Sequence, residues 1–220
     1  MRLIKDIFTI KKIPHLSWSS HKALNARPKI STFLYLIFGL ILFGLGEAIL
    51  ITSSQGVSPW TVLSQGISLK FNHSIGMSNF IVSIAVLFLW IPLKQRPGIG
   101  TIMNAIVISI ILDFSLPYLP KPEQFFFQII QSFFGVFLIG VGSGFYLIAN
   151  LGAGPRDGLN IGLSNVSKKP IFSIRMLIEF SAVIVGWYFG GVVGLGTIIF
   201  ALFVGPFVSF GLVMVKYFFK

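Results

Sequence analysis

The chain repeats itself at a fixed offset of 96 residues. Gly39, Gly44, Gly46, Gly56, Pro59, Leu63, Gly66, Gly98, Gly100 and Thr101 return as Gly135, Gly140, Gly142, Gly152, Pro155, Leu159, Gly162, Gly194, Gly196 and Thr197. Apolar sequence taken at random repeats scattered leucines, but not glycines, a proline and a threonine in one uninterrupted register. A duplicated unit of membrane-embedded helices accounts for the match, and it limits the folds open to the chain more than any single residue does.

The mean hydropathy of +0.89, with 55% hydrophobic and 10% charged residues, excludes an ordinary soluble domain. Several apolar runs approach or exceed the ~20 residues that a helix needs to cross ~30 Å of hydrocarbon. No porin-like alternation is present, so the expectation is an all-α polytopic bundle. The chain has no cysteine, which rules out disulfides, zinc–thiolate sites and iron–sulfur clusters. Its net charge of +11 does not imply nucleic acid, because the basic residues lie in an N-terminal tail and short loops. Met1 to Lys12 sustains no long apolar stretch, so no secretory signal is expected there.

Six spans are expected, near 33–53, 76–93, 98–118, 126–149, 172–189 and 195–215. They divide the chain into a basic tail (1–32), a first repeat (33–118), a Pro-rich connector (119–127), a second repeat (128–215) and a C-terminus (216–220). In the tail, Leu3, Ile4, Ile7 and Phe8, with Ile10 or Ile13, suit either a short amphipathic surface helix or a mobile segment. After spans one and four come the turns Gly56-Val57-Ser58-Pro59-Trp60 and Gly152-Ala153-Gly154-Pro155-Arg156-Asp157. Each leads into about a dozen moderately apolar residues, which as a helix reach only about 18 Å. Proline suits the first position of such helices, where its missing N–H has no partner anyway. Two readings stand for these half-helices: re-entrant, or lying at the interface.

Three spans per repeat is an odd number, so the second repeat enters the membrane inverted relative to the first, as in many transporters. With the N-terminus cytoplasmic, that side receives the tail, Lys94, Arg96, Arg156, Lys168, Lys169, Arg175, Lys216 and Lys220. Only Lys70 and Lys121 fall outside. Both termini are therefore expected on the cytoplasmic side. The glycines at 140 and 144, 44, and 186 and 190 read as close helix contacts. Gly98-Ile99-Gly100-Thr101 and Gly194-Leu195-Gly196-Thr197 read as joints at helix starts, where threonine caps exposed N–H groups.

Three carboxylates, Glu47, Asp113 and Glu179, fall inside expected spans, where a charge is costly and is paired or functional. Glu179 lies one turn from Arg175, which suits an ion pair. Asp113 is near a span end, within reach of interfacial water. Glu47 is thus the leading candidate for a buried functional carboxylate. Asp157 is placed to cap the second half-helix. Arg156 suits an anionic group, a partner in Glu47 or Glu179, or plain interfacial anchoring. Trp90, Tyr118, Trp187 and Tyr188 lie where belt aromatics belong. No nucleophile–base pair and no metal-ligand spacing is visible, so neither enzymatic activity nor a metal or other cofactor is expected.

The two turn motifs, Gly56 to Leu63 and Gly152 to Leu159, with the later Gly-x-Gly-Thr elements, resemble the YczE-like bacterial membrane proteins of the YczE/YyaS/YitT group. The resemblance covers nearly all of residues 33–213 and implies a small polytopic protein of the bacterial cytoplasmic membrane. Members of that family typically carry Pro-Trp-Asp in the first motif, whereas this chain has Thr61 in place of the acid. The leading expectation is a small-solute transporter or permease, with the lipid bilayer, a small solute and a second copy as partners. Its candidate site comprises Glu47, Pro59, Trp60, Pro155, Arg156, Asp157 and Glu179. The alternative is a non-transporting accessory that acts on a partner through the basic tail.

Overall fold

Prolines, glycines and asparagines set many of the helix boundaries. In the computed structural model, which describes residues 13–219, there are eight α-helices and no strand among the described residues. They are α1 (Ile30–Thr52), α2 (Pro59–Phe71), α3 (Ile75–Trp90), α4 (Ile99–Ser115), α5 (Phe125–Ala149), α6 (Pro155–Ser167), α7 (Ile171–Tyr188) and α8 (Leu195–Phe218). Pro59 and Pro155 open the two 13-residue helices at the first helical position. Asn72, Asn150 and Lys168 close α2, α5 and α6 in the left-handed conformation. At the starts of α4 and α8, the Thr101 and Thr197 hydroxyls accept from the N–H of Gly98 (3.1 Å) and Gly194 (3.3 Å).

The six expected spans coincide with α1, α3, α4, α5, α7 and α8 to within a few residues. Four of them, α1, α5, α7 and α8, are long and apolar enough to cross a membrane. The pair α2 and α3 has that length only taken together, and it is bent by 112°. At 1.5 Å per residue, α3 and α4 reach only about 24–26 Å, because Pro92 and Pro117 stop them early. The apolar stripe through Leu3, Ile4, Ile7 and Phe8 lies outside the described residues.

Two glycine crossings hold the centre. A methyl on Gly46 would meet the Gly135 carbonyl at 2.6 Å, and one on Gly39 would meet the Gly142 carbonyl at 2.7 Å. Position 39 faces 142 and 46 faces 135, so α1 and α5 run antiparallel with their backbones nearly touching. Gly140 abuts Phe207 and Gly144 abuts Gly211, so α5 and α8 run parallel. The start of α1 and the end of α8 therefore share one end of the bundle. Trp18, 5% exposed, joins them there: its indole N–H donates to the Phe219 carbonyl (2.5 Å), and its ring lies 4.4 Å from Tyr35. Ser20 N–H donates to Ala149 O (3.1 Å) and Asn150 Nδ2 to Ser20 O (2.8 Å). The segment that precedes α1 is thus held on this end through Leu16, Trp18 and Ser20. Large apolar side chains such as Phe172, Leu177 and Phe180 cover the outside of α7, a surface suited to lipid rather than water.

The turns before α2 and α6 dock reciprocally on the opposite half of the chain. Gly196 N–H donates to the Gln55 carbonyl (2.6 Å), and Gly100 N–H to the Leu151 carbonyl (2.7 Å). Gly56 and Gly152 take φ +97° and +116° there, and a methyl on Gly152 would lie 2.8 Å from Thr101 Oγ1. Gly152→Ala is therefore expected to cost about 2 kcal/mol, from the left-handed backbone and the collision together. The melting temperature in detergent checks it, and Gly152→Ala should lower it.

Candidate functional site

The starts of α2 and α6 are built differently but end at one place. Ser58 occupies the N-cap of α2, yet its hydroxyl does not cap the helix. It donates instead to Glu47, 2.9 Å from Oε1 and 3.1 Å from Oε2, and the Thr61 hydroxyl lies 2.8 Å from Oε2. Glu47 is 2% exposed, so these two hydroxyls stand in for water. At α6, Trp90 donates its indole N–H to the Pro155 carbonyl (2.9 Å). The Tyr146 hydroxyl donates to Asp157 Oδ2 (2.6 Å). Neither helix start has a side-chain cap, so the leading N–H groups of both are left to solvent or to a ligand.

A cavity of about 200 Å³ lies where these starts converge, lined by Ser58 and Trp60 from one and by Gly154, Pro155, Arg156 and Asp157 from the other. Arg156 reaches across the bundle. Its guanidinium lies 5.3 Å above the Trp60 ring centroid and donates to Asn79 Oδ1 (2.8 Å). Guanidinium has no acceptor, which fixes the Asn79 amide with its oxygen toward Arg156 and its nitrogen toward Ser109 Oγ (3.0 Å). Many of the lining residues fall in pairs 96 positions apart, among them Trp60 with Arg156, Asn79 with Arg175 and Ser83 with Glu179. In these three pairs the first half of the chain supplies a neutral side chain and the second a charged one.

Of the candidate residues, Trp60, Pro155, Arg156, Asp157 and Glu179 line this cavity. Glu47 sits behind Ser58 rather than on the wall, and Pro59 is buried in the first turn of α2. Glu179 holds Arg175 at 2.8 Å, the ion pair expected from their spacing. No carboxylate among the described residues lies within ion-pairing distance of Arg156, so it is joined to neither Glu47 nor Glu179. Two expectations are corrected. Gly154, not Asp157, is the N-cap of α6; Asp157 stands one turn inside and takes the tyrosine hydroxyl. Trp90 is no belt aromatic but is buried against the start of α6. Asp113, half-buried near the end of α4, accepts from Ser74 Oγ (2.6 Å) and from Gly76 N–H (2.7 Å) at the start of α3. Sequence reasoning passed over Asn79, Tyr146 and Asn160. Of these Asn79 carried a signal, being an amide early in an apolar span.

Residues 30–212 match the Family of unknown function (DUF6198). The chain belongs to that family. An uncharacterized protein of Haemophilus influenzae is 41% identical over 201 residues, covering 91% of each chain. The uncharacterized membrane protein YczE of Bacillus subtilis is 31% identical over 176 residues, covering 79% of this chain and 82% of its own. The uncharacterized protein YyaS of the same organism is 25% identical over 172 residues, covering 76% and 85%. No solved structure matches. The likeness first seen in the two glycine–proline turns thus extends over most of the chain. Together with the apolar helices, it makes this a YczE-like membrane protein.

Proposed function

We propose that the protein is a small-solute transporter of the bacterial cytoplasmic membrane, built from two inverted repeats and working through the cavity between α2 and α6. One observation carries the reading: the uncapped starts of both short helices, in register 96 residues apart, line a single polar and charged cavity inside an apolar bundle. Irregular backbone survives at membrane depth only where it is buried in protein or lines a wet cavity. Broken helices whose N-termini meet a solute between repeats are a recurring transporter plan. The antiparallel crossing of α1 and α5 supports the inversion. The start of α1 and the end of α8 lie at one end of the bundle, which supports an even number of crossings with that end in the cytoplasm.

The test uses the cysteine-free chain. Lys70→Cys and Ser167→Cys, at the exposed ends of α2 and α6, should react with an impermeant maleimide from opposite sides of the membrane. Labelling from one side would refute the inverted arrangement. In liposomes, uptake of labelled organic acids and amino acids should exceed that of protein-free vesicles and fall in Arg156→Gln. Uptake equal to the protein-free control, with a cellular phenotype abolished by deleting residues 2–12 alone, would instead support an accessory role of the tail.

A further inference from the structure

The carboxylates beside the cavity outnumber the cations. Arg156 and Arg175 stand against Glu47, Asp157 and Glu179. Glu179 is tied to Arg175 at 2.8 Å. Arg156 has no carboxylate within ion-pairing distance among the described residues, and acts on all three through space. Three carboxylates against two cations leave one negative charge over, which is costly inside an apolar bundle. Asp157 is half-buried on the cavity wall and keeps the Tyr146 hydroxyl. Glu47 is fully buried behind Ser58, so it is where the extra charge costs most. The helices around it bring no cation into contact. α5 carries no charged side chain, α4 carries Asp113, bonded to the start of α3, and α2 carries Lys70 in its last turn. Arg156, from α6, is the charged group whose field reaches Glu47.

The partners of Glu47 fit both of its protonation states. Oxygens of three side chains close a ring: Ser58 Oγ lies 2.9 Å from Glu47 Oε1 and 2.9 Å from Thr61 Oγ1, which lies 2.8 Å from Glu47 Oε2. Each hydroxyl donates one bond and accepts others, and its hydrogen turns to suit. With Glu47 ionised, Ser58 donates to Oε1 and Thr61 to Oε2. With Glu47 protonated, Oε1–H donates to Ser58, Ser58 to Thr61, and Thr61 still to Oε2. Every oxygen stays bonded in both states, and no heavy atom has to move between them. An arginine or lysine in contact would hold the ionised form alone; two neutral hydroxyls do not. Ser58 also lines the cavity, so one side chain separates cavity from carboxyl. It can pass its own proton to Oε1 and take another from cavity water, which restores the hydroxyl. The net change is one proton moved from water to Glu47, and release is the reverse.

We infer that Glu47 binds the coupling proton of the transporter, loaded and unloaded across Ser58 as the solute is carried. The coupling rests on the transport reading above; the proton site itself stands on the ring and on the excess of carboxylates.

Infrared difference spectra of the purified protein, taken as the pH is raised from acid to alkaline, test the site. A band of a buried protonated carboxyl should fade with rising pH in the parent and be missing at every pH in Glu47→Gln. Glu47→Asp, which keeps a carboxyl, should keep a titrating band at a shifted pH, so the test survives a glutamine variant that fails to fold. No such band at any pH, one that persists at every pH, or one that survives in Glu47→Gln would overturn the assignment. Coupling is read in liposomes with the membrane potential clamped. Protein-dependent uptake of the labelled organic acids and amino acids should follow an imposed pH difference. One proton per solute permits accumulation up to about tenfold per pH unit. The direction of the effective gradient separates symport from antiport. Glu47→Gln should lose the response to the pH difference. Uptake that ignores the pH difference, or follows a sodium gradient at equal pH instead, would overturn proton coupling. The two readings fail separately: a titrating band with no uptake of any solute sinks transport and leaves the proton site, whereas uptake with no titrating band sinks the proton site alone.

Discussion

Gly142→Val is expected to leave little folded protein to purify. Position 142 lies on α5 at the crossing with α1, where an added Cβ would sit 2.5 Å from the Gly39 carbonyl oxygen and 2.7 Å from the Phe43 nitrogen. Both are backbone atoms of a helix, so no rotamer change makes room. Relief requires α1 and α5 to separate. That separation also opens the opposite contact, where Gly46 and Gly135 meet in the same way, and it uncovers Leu36, Leu40, Phe145 and Ile148, all buried between these helices. Lipid gives little hydrophobic reward for keeping helices together, so their van der Waals contact is most of what is lost. The cost should be about 4 kcal/mol or more, at the upper end for a single substitution. The measurement is the monodisperse yield and melting temperature after extraction in mild detergent. A variant that elutes and melts like the parent would show that α1 and α5 do not cross this closely.

That crossing shows what the chain could and could not reveal before folding. Gly39, Gly46, Gly135 and Gly142 stand out in sequence as a repeated register, and a register of glycines in apolar helices predicts close backbones. Which helices meet is not written locally: 39 faces 142, not its own counterpart 135. The short helices were legible for a simple reason, because Pro59 and Pro155 can stand only at a helix start and the apolar stretches that follow are too short to span. The use of Ser58 was not. A serine before proline at a helix start ordinarily caps its own helix, and only the position of Glu47, eleven residues back on another helix, redirects the hydroxyl. Arg156 was visible as a charge out of place. Its partners, Asn79 and the Trp60 ring, come from α3 and α2, and nothing in the spacing of 60, 79 and 156 joins them. Sequence reveals costly residues at depth; tertiary packing decides what compensates them.

Glu47 offers a sharper experiment than removing a charge, because its hydroxyl partners predict a coupling between two substitutions. Glu47→Gln keeps the shape and one acceptor oxygen, and its amide hydrogens can be taken by Ser58 or Thr61, so stability should stay within about 1 kcal/mol of the parent. Glu47→Leu leaves the Ser58 and Thr61 hydroxyls, both about 1% exposed, with only each other at 2.9 Å. They share one hydrogen bond and one buried O–H goes without an acceptor. Glu47→Leu should therefore fall about 2–3 kcal/mol below Glu47→Gln. Thr61→Val decides whether this cause is the right one. In the parent it removes a donor to the carboxylate and should destabilise by about 1–2 kcal/mol. In the Glu47→Leu background it removes one hydroxyl but takes the last partner of the other, Ser58, so one buried O–H stays unsatisfied and stability should change little. A coupling of this size and sign belongs to residues in direct contact. If Thr61→Val costs the same in both backgrounds, the hydroxyls do not hold the carboxylate, and Glu47 no longer fastens the start of α2 to α1 beside the cavity. If that cost disappears in the Glu47→Leu background as expected, and Glu47→Gln folds normally yet lowers uptake in liposomes, the charge of Glu47 serves the solute pathway rather than the fold.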